Sequence, residues 1–291
     1  MAIAIVEKLR SRIPYIRRLH ERIDHLHHRL AAIETAPKLI EPDGSRSSKV
    51  GEQFREFLRL LQPHDAAHVR KLRFDGDGDG GYIMLDDLGQ CRNALSLGVG
   101  LDVSWDLSLA NRGLRIFQFD HMLDGSPQGH PRFVFNKASI VARAESPGEI
   151  TLAQIVEGPD LADDKILIAK IDIEGCEWDI LAHSSKTTLT QMRQIAIEFH
   201  DLREFIKPDW RAKALTALAN LMTTHACVHI HGNNCEPFIV IGGIAFPNVF
   251  EATFARRSDY VLASSTAVFP TELDRPNNPK AADLYLGRWS Y

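Results

Sequence analysis

The segment ILIAKIDIEGCEWDIL, residues 166 to 181, decides the architecture of this chain. Its first half is a near-continuous apolar run, which is typical of a strand that is covered on both faces of a parallel sheet. Acidic residues and helical spacing follow directly, so a strand leads into a helix. This order of elements predicts an α/β protein.

The same alternation of strand and helix extends over most of the chain. Strands are predicted at 93–98, 114–119, 132–136, 166–172, 193–199, 225–231 and 237–245, and helices at 102–111, 150–157, 176–183 and 209–223. The predicted fold is a doubly wound, mostly parallel seven-stranded sheet, whose ligand site lies at the carboxyl ends of the strands. Turn residues Gly232, Asn233 and Asn234 separate the last two strands, so we expect an antiparallel terminal hairpin.

The N-terminal segment differs in character from this α/β region. Residues 1–34 hold seven basic and four acidic residues, so they carry +3 of a total of −4, and the remainder carries −7. Their apolar residues recur about every 3.5 positions, which predicts a long amphipathic helix that dimerises as a coiled coil. A basic helix on an anionic membrane surface and a helix packed on its own domain are the alternatives. Residues 35–49 have linker composition, so the predicted main domain is 50–291.

The overall composition is that of a soluble globular protein. The chain has 291 residues, of which 44% are hydrophobic and 25% charged. A net charge of −4 argues against a general nucleic-acid binder, because such proteins need a basic face. No apolar run reaches the ~18 residues of a membrane span, so we expect a cytoplasmic protein. The predicted coiled coil indicates a homo-oligomer. The four cysteines lack CxxC spacing, which predicts buried thiols.

A glycine-containing loop follows the first predicted strand. Gly98 and Gly100 permit a sharp turn and a close approach of the backbone to a ligand. The third glycine of a dinucleotide fingerprint would fall at position 103, which is Val103, so that fingerprint is incomplete. The loop alone therefore indicates a tight turn or a cofactor contact.

An acidic residue ends the next predicted strand. Asp120 lies about twenty residues after the loop, where it can accept hydrogen bonds from the ribose hydroxyls of an adenosine-containing cofactor. NAD and S-adenosylmethionine share this requirement, but a cofactor without a pyrophosphate does not need the third glycine. The ammonium group of S-adenosylmethionine could contact the carboxylate of Asp102 or Asp106. The alternative is that Asp120 only caps a helix.

The stretch KIDIEGCE, residues 170 to 177, resembles the signature of the FkbM-type methyltransferases. Further stretches of similar sequence occur in the family's order: DGDGGYIML at 77–85, LSLGVGLDVSWDLSLA at 95–110, FDH at 119–121, IAIEFH at 195–200, HIHGNN at 229–234 and PNVFEATFAR at 247–256. The resemblance implies a class I methyltransferase fold that uses S-adenosylmethionine and methylates hydroxyls of sugars, glycans or secondary metabolites. We also predict cofactor contacts from Gly81 and Tyr82, because the glycines permit a close approach of the backbone, and from His121; a plain surface turn is the alternative for the glycine segment. Ser96 departs from the acidic residue that many methyltransferases carry before the loop.

Methyl transfer to a hydroxyl requires precise positioning and a way to remove the hydroxyl proton. A histidine base or a divalent ion can meet the second requirement. We predict four catalytic residues at the carboxyl ends of the strands: Asp172, Glu198, His200 and His231. A magnesium or manganese site would use Asp172, Glu198 and one of His231 or Asn233, with His200 or another histidine as base. The alternative is that Asp172 orients a ligand and Glu198 pairs with a buried cation.

Three further polar residues are predicted to bind the acceptor: Glu174, Asn233 and Asn234. The acceptor is expected to be a small molecule or a glycan. Two other functions stay open on the sequence: a NAD-dependent oxidoreductase or epimerase of similar topology, and a non-catalytic scaffold whose N-terminal helix recruits partners.

Overall fold

The computed structural model describes residues 47–74, 80–164 and 166–291. The predicted helix 1–34 and nearly all of the predicted linker lie outside these residues. The first described helix is α1, Ser47–Leu60, which begins three residues before the predicted domain boundary at residue 50. Phe54 and Phe57 of α1 are fully buried, because this helix packs on the main domain.

Seventeen strands and five further α-helices follow among the described residues. The strands are β1 His64–Ala66, β2 Lys71–Phe74, β3 Tyr82–Leu85, β4 Asn93–Leu97, β5 Arg115–Phe119, β6 Phe133–Asn136, β7 Ser139–Ile140, β8 Glu149–Ile150, β9 Leu167–Ile171, β10 Met192–Phe199, β11 His225–Gly232, β12 Phe238–Ile241, β13 Ile244–Pro247, β14 Phe250–Arg256, β15 Leu262–Ser264, β16 Val268–Phe269 and β17 Gly287–Arg288. The helices are α2 Ser104–Asn111, α3 Leu152–Glu157, α4 Glu177–His183, α5 Lys186–Thr190 and α6 Pro208–Met222. Short 3₁₀ turns lie at Leu202–Ile206 and Arg257–Asp259.

A seven-stranded sheet forms the centre of the fold, in the order β11-β14-β10-β9-β4-β5-β6. Strands β10, β9, β4, β5 and β6 run parallel, whereas β14 is antiparallel to both of its neighbours. All five residues of β9 are buried, as expected for a central strand with helices on both faces. The predicted mostly parallel, seven-stranded sheet is confirmed.

The predicted terminal hairpin is wrong in its pairing. Strand β11 does not pair with the segment 237–245 but with β14, which inserts between β10 and β11. The segment 237–245 instead turns at Gly242 and Gly243, both at positive φ, and forms a separate two-stranded hairpin of β12 and β13. Six of the seven residues of β14 are buried, as expected for a strand that lies between two others.

The C-terminal segment after β14 packs back onto the domain. The Trp289 indole donates to the Leu58 carbonyl at 3.1 Å, and the Asn234 amide donates to the carbonyls of Asn278, Ala281 and Ala282. These bonds place residues 277–283 beside the carboxyl end of β11.

None of the helices in the described ranges is both long and apolar enough to cross a membrane. All four cysteines are free, but Cys176 and Cys235 are exposed, so the prediction of buried thiols is wrong for these two.

Candidate active site

The Gly98–Gly100 loop connects β4 to the segment before α2 and crosses the end of β9. Gly98 has a φ of +76°, and a Cβ atom there would lie 1.6 Å from the carbonyl oxygen of Asp172. Its N–H donates to the Phe119 carbonyl at 2.9 Å. Only glycine fits this position, because both the backbone conformation and the contact exclude a side chain.

The Asp120 carboxylate closes this loop from the neighbouring strand. Its Oδ2 accepts the N–H groups of Val99 and Gly100 at 3.0 and 3.2 Å, and its Oδ1 accepts those of Met122 and Leu123 at 2.8 and 3.1 Å. Burial alone would raise the pKa of Asp120, but these four backbone bonds lower it below the ordinary value. Each oxygen already accepts two bonds, so the carboxylate acts first on the loop, and its contact to a ribose stays a prediction.

A cleft of about 260 Å³ opens beside the loop at the carboxyl ends of β4, β5 and β9. Six predicted site residues line it: Gly98, Gly100, Asp120, His121, Asp172 and Glu174. Its lining also includes apolar side chains that the sequence did not single out, among them Leu101, Met122 and Ile140. Leu101 and Met122 are 84% and 77% exposed, so they form an apolar rim at the mouth. This is the position that a doubly wound sheet offers to a ligand.

Three predicted cofactor contacts lie outside this lining. Gly81 is buried in the turn before β3, and Tyr82 is buried with its hydroxyl 3.5 Å from Glu198 Oε2. Asp102 accepts the Ser104 N–H at 2.8 Å and contacts the turn at Gly80, where a Cβ would lie 2.8 Å from the Asp102 carboxyl carbon. The turn before β3 therefore rests on Asp102, and Tyr82 supports the site from within the core.

Asp106, the other candidate for the ammonium of the cofactor, is remote from solvent, whereas Asp102 is exposed. It is fully buried on α2, where it accepts hydrogen bonds from Gln118 Nε2 at 3.1 Å and from Ser96 Oγ at 3.3 Å. Burial raises the pKa of Asp106 above the ordinary value, although the nearby ammonium of Lys170 acts to lower it. An acidic group on α2 thus bonds to Ser96, but neither residue lines the cleft.

His200 lies just after β10 and is held by the helix that follows β9. Its Nδ1 contacts Glu177 Oε1 at 3.1 Å, and its carbonyl accepts the Trp178 indole N–H at 2.8 Å. Its Nε2 lies 3.6 Å from Glu174 Oε2 and 3.8 Å from Glu198 Oε1. Burial lowers the pKa of His200, but the Glu177 bond and the surrounding carboxylates outweigh it and raise the pKa to about 9.

Glu177 is a site residue that the sequence interpretation missed. It is fully buried, and its carboxylate accepts the N–H groups of Ile173 and Gly175 at 2.9 Å and 3.0–3.2 Å. These bonds hold the turn in which Glu174 adopts a positive φ of 54°. The signal was present in the spacing EGCE, because a carboxylate two residues after a glycine turn can cap that turn.

Glu198 is buried beside His200 rather than open to the cleft. Asn233 Nδ2 donates to its Oε1 at 2.6 Å, and Cys235 N–H donates to Asn233 Oδ1 at 2.8 Å. Asn233 therefore supports Glu198. Asn234 is only 2% exposed and holds the C-terminal segment through both of its side-chain groups, and its contact with an acceptor stays a prediction.

The predicted metal ligands do not come together. His231 is 1% exposed, and it bonds to Asp283 at 3.0 Å and lies 3.4 Å from Glu251. The reason is strand order, since β14 separates β11 from β10 and places Glu251 between His231 and Glu198. Within the described part of the chain, the side chains close enough to share a metal ion are Asp172, Glu174 and His200, whose ligand atoms lie within 4.8 Å of one another.

The strand order, with an antiparallel seventh strand inserted beside the sixth, and the glycine loop against the β9 end define a class I S-adenosylmethionine-dependent methyltransferase fold. Residues 89–226 match the methyltransferase FkbM domain. The chain therefore carries an FkbM-type, S-adenosylmethionine-dependent methyltransferase domain, as its KIDIEG motif predicted.

Several solved structures are similar to this chain. A TehB-like methyltransferase from Corynebacterium glutamicum is 12% identical over 74% of this chain and 100% of its own, with a TM-score of 0.32. A 16S rRNA (adenine(1408)-N(1))-methyltransferase mutant from Catenulisporales acidiphilia is 10% identical over 57% and 85%, with a TM-score of 0.30. A methyltransferase from Agrobacterium tumefaciens is 11% identical over 57% and 55%, with a TM-score of 0.30. Comparison with curated proteins gives no match.

Proposed function

We propose that this protein is an O-methyltransferase that transfers a methyl group from S-adenosylmethionine to a hydroxyl of a sugar, glycan or glycosylated metabolite. The observation that carries the proposal is a cleft lined by both the Gly98 loop and the carboxylates of Asp172 and Glu174, with His200 Nε2 3.6 Å from Glu174 Oε2. Cofactor elements and proton-accepting groups thus share one edge of the sheet.

The residues of the cleft suit S-adenosylmethionine better than NAD. The N–H groups of Val99 and Gly100 are bound to Asp120, so they are not free for the pyrophosphate that a dinucleotide would present. The lining holds three carboxylates, Asp120, Asp172 and Glu174, and among the described residues that line it there is no lysine or arginine. Such a cleft favours a cationic ligand. When bound, S-adenosylmethionine supplies an electrophilic methyl group on its sulfonium.

The proton of the acceptor hydroxyl is assigned to His200. Glu177 fixes Nδ1 as the bonded nitrogen, which leaves Nε2 on the side of Glu174 and Glu198. In its neutral form, Nε2 can accept the hydroxyl proton, and the surrounding carboxylates stabilise the resulting imidazolium. Glu174, whose side chain is 86% exposed, is the group best placed to bind a second hydroxyl of the acceptor.

Metal assistance is the second form of this proposal. The observation that favours it is the grouping of Asp172, Glu174 and His200 within 4.8 Å. Carboxylate oxygens would suit magnesium or manganese, and the added imidazole would favour a transition metal. In this form Asp172, Glu174 and His200 would hold the ion, which would lower the pKa of the hydroxyl, and His200 would act as a ligand instead of a base. Metal analysis of the purified protein and activity after EDTA treatment separate the two forms.

The acceptor is proposed to be a small molecule or a glycan and not a nucleic acid. The net charge of −4 and the acidic cleft support this, because phosphate backbones need basic partners. Radiolabelled S-adenosylmethionine incubated with neutral glycans, lipid-linked sugars and ribosomal RNA would test it. Label in RNA alone would contradict the proposal, and label in a glycan would support it.

Calorimetry tests the enzyme class without an acceptor. We expect binding of S-adenosylmethionine and of its product S-adenosylhomocysteine, and no binding of NAD at the same concentration. NAD binding without S-adenosylmethionine binding would favour the oxidoreductase alternative. Binding of S-adenosylmethionine without transfer to any acceptor pool would favour the scaffold.

A further inference from the structure

A buried lysine lies beneath the loop and takes no part in the proposed chemistry. Lys170 is the fourth residue of β9, and it is 3% exposed. Its register neighbours on β4 and β10 are Ser96 and Ala196, two small residues that leave room for its side chain. Tyr82 covers it from the other side, with the ammonium 5.8 Å from the ring centroid.

The ammonium of Lys170 reaches two parts of the cleft at once. Its Nζ donates to the Gly98 carbonyl at 3.0 Å and lies 3.5 Å from Asp172 Oδ2. Gly98 belongs to the loop on the cofactor side, and Asp172 lies at the end of β9 next to Glu174. One buried cation therefore ties the loop to the acidic strand end.

Nearby carboxylates favour the protonated form of Lys170. Burial alone would lower the pKa of Lys170, but the carboxylates of Asp172, Asp106 and Glu198 raise it above the ordinary lysine value. Loss of the ammonium would leave these three carboxylates without their shared partner. It would also leave the Gly98 carbonyl without this bond, while Asp120 still held the loop N–H groups on the other side.

We propose that Lys170 is a positioning residue, which sets the geometry of the Gly98 loop against Asp172 and the charge balance of the cleft. The inference rests on the proposed binding of S-adenosylmethionine and goes beyond it, because it assigns a role to a residue that need not touch the ligand. Its consequence is a preference between ligands: the lysine charge lowers the affinity of the site for the cationic S-adenosylmethionine relative to the uncharged thioether S-adenosylhomocysteine.

Three variants test this role by calorimetry with S-adenosylmethionine and S-adenosylhomocysteine. Lys170→Met removes the charge and keeps the aliphatic stem, whereas Lys170→Arg keeps the charge. Lys71→Met is the matched control, because Lys71 is also largely buried and paired, with Asp65 at 2.6 Å, but belongs to β2 outside the cleft. Thermal unfolding of each variant is measured beside the affinities.

We expect Lys170→Met to weaken S-adenosylhomocysteine binding by roughly 10- to 100-fold, since a hydrogen bond to a charged group is lost. S-adenosylmethionine binding should weaken less, so the ratio of the two dissociation constants changes by at least about threefold. Lys170→Arg should restore the wild-type ratio, and Lys71→Met should leave both affinities unchanged. A Lys170→Met protein that unfolds earlier but keeps both affinities within about twofold would overturn the proposal.

Two further outcomes are informative. If Lys170→Met does not fold, hydrogen exchange of the Val99 and Gly100 amides in Lys170→Gln, which removes the charge but keeps a polar side chain, replaces it. Faster exchange there than in the Lys71→Met control would support the positioning role, and equal exchange would overturn it. If the wild-type protein binds neither ligand, the proposed function fails, and that result is distinct from a failure of the lysine's role.

Discussion

Replacement of Glu177 by glutamine should change the titration of His200, because this buried carboxylate is the principal partner of the ring. In the wild-type protein the pKa of His200 is raised to about 9, so roughly one molecule in a hundred has a neutral ring at pH 7. The variant removes the charged acceptor 3.1 Å from Nδ1 but leaves Glu198 and Asp172. We expect the pKa of His200 to fall by about 1 to 2 pH units, which raises the neutral fraction at pH 7 about 10- to 50-fold.

The stability of the domain should follow the same titration. The pKa of His200 is higher in the folded state than its ordinary value of 6.5. Its contribution to the free energy of unfolding is therefore fully present below pH 6.5 and is lost as the pH rises through about 9. In Glu177→Gln this loss should begin and end at lower pH.

Nuclear magnetic resonance of the histidine ring protons measures the effect directly in metal-free protein. The His200 resonance is assigned by its absence in His200→Asn. Glu149→Gln serves as the control, because the Glu149 carboxylate also accepts two backbone N–H groups but lies on β8. A His200 pKa near 6.5 in the wild-type protein, or one that is equal in wild type and Glu177→Gln, would refute the reasoning.

Three other changes have defined outcomes. Gly98→Ala should abolish S-adenosylmethionine binding in calorimetry, because the added Cβ would lie 1.6 Å from the Asp172 carbonyl oxygen. Gly100→Ala has open space around its Cβ, so it should lower the free energy of unfolding by only about 1 kcal/mol through backbone strain. Asp120→Asn should speed hydrogen exchange of the loop amides and weaken S-adenosylmethionine binding; unchanged exchange would contradict the loop-closing role. His231→Asn should release the C-terminal segment to limited proteolysis and cost about 3 kcal/mol of unfolding free energy, because a buried ion pair with Asp283 is broken. In the wild-type protein the same release should appear as the pH rises from 6.5 through about 10, since the pKa of His231 is raised to about 10 by its carboxylate partners despite burial; a cleavage rate that is constant over this range would contradict it.

The central strands could be predicted from sequence because burial on both faces leaves a continuous apolar run. Strand β14 was missed, although Glu251 and Thr253 alternate with apolar residues; this is the pattern of a half-exposed strand, and it does not indicate a position between two strands of the sheet. Its polar side chains are nevertheless buried, because Asn277 donates to Glu251 and Thr253 donates to a carbonyl of β3. Buried polar partners from distant segments leave no local pattern.

The candidate site was predictable only where neighbouring strands supply it. Gly98, Asp120 and Asp172 end three adjacent strands, and they line one cleft. His231 was misplaced because strand order, which the sequence does not state, separates it from Glu198. Glu177 and Lys170 were overlooked as site residues because their roles arise from contacts across the fold, not from their own type or spacing.

Insertion of β14 between β10 and β11 also has a consequence for how the protein is made. During synthesis, β10 and β11 emerge before the strand that joins them, so β10 keeps one open edge and β11 has no partner in the sheet until Arg256 has left the ribosome. An unpaired edge with apolar neighbours is a template for association with other chains. The nascent chain is therefore most exposed to aggregation over the roughly 57 residues between the end of β10 and the end of β14, and it completes its sheet as one late event.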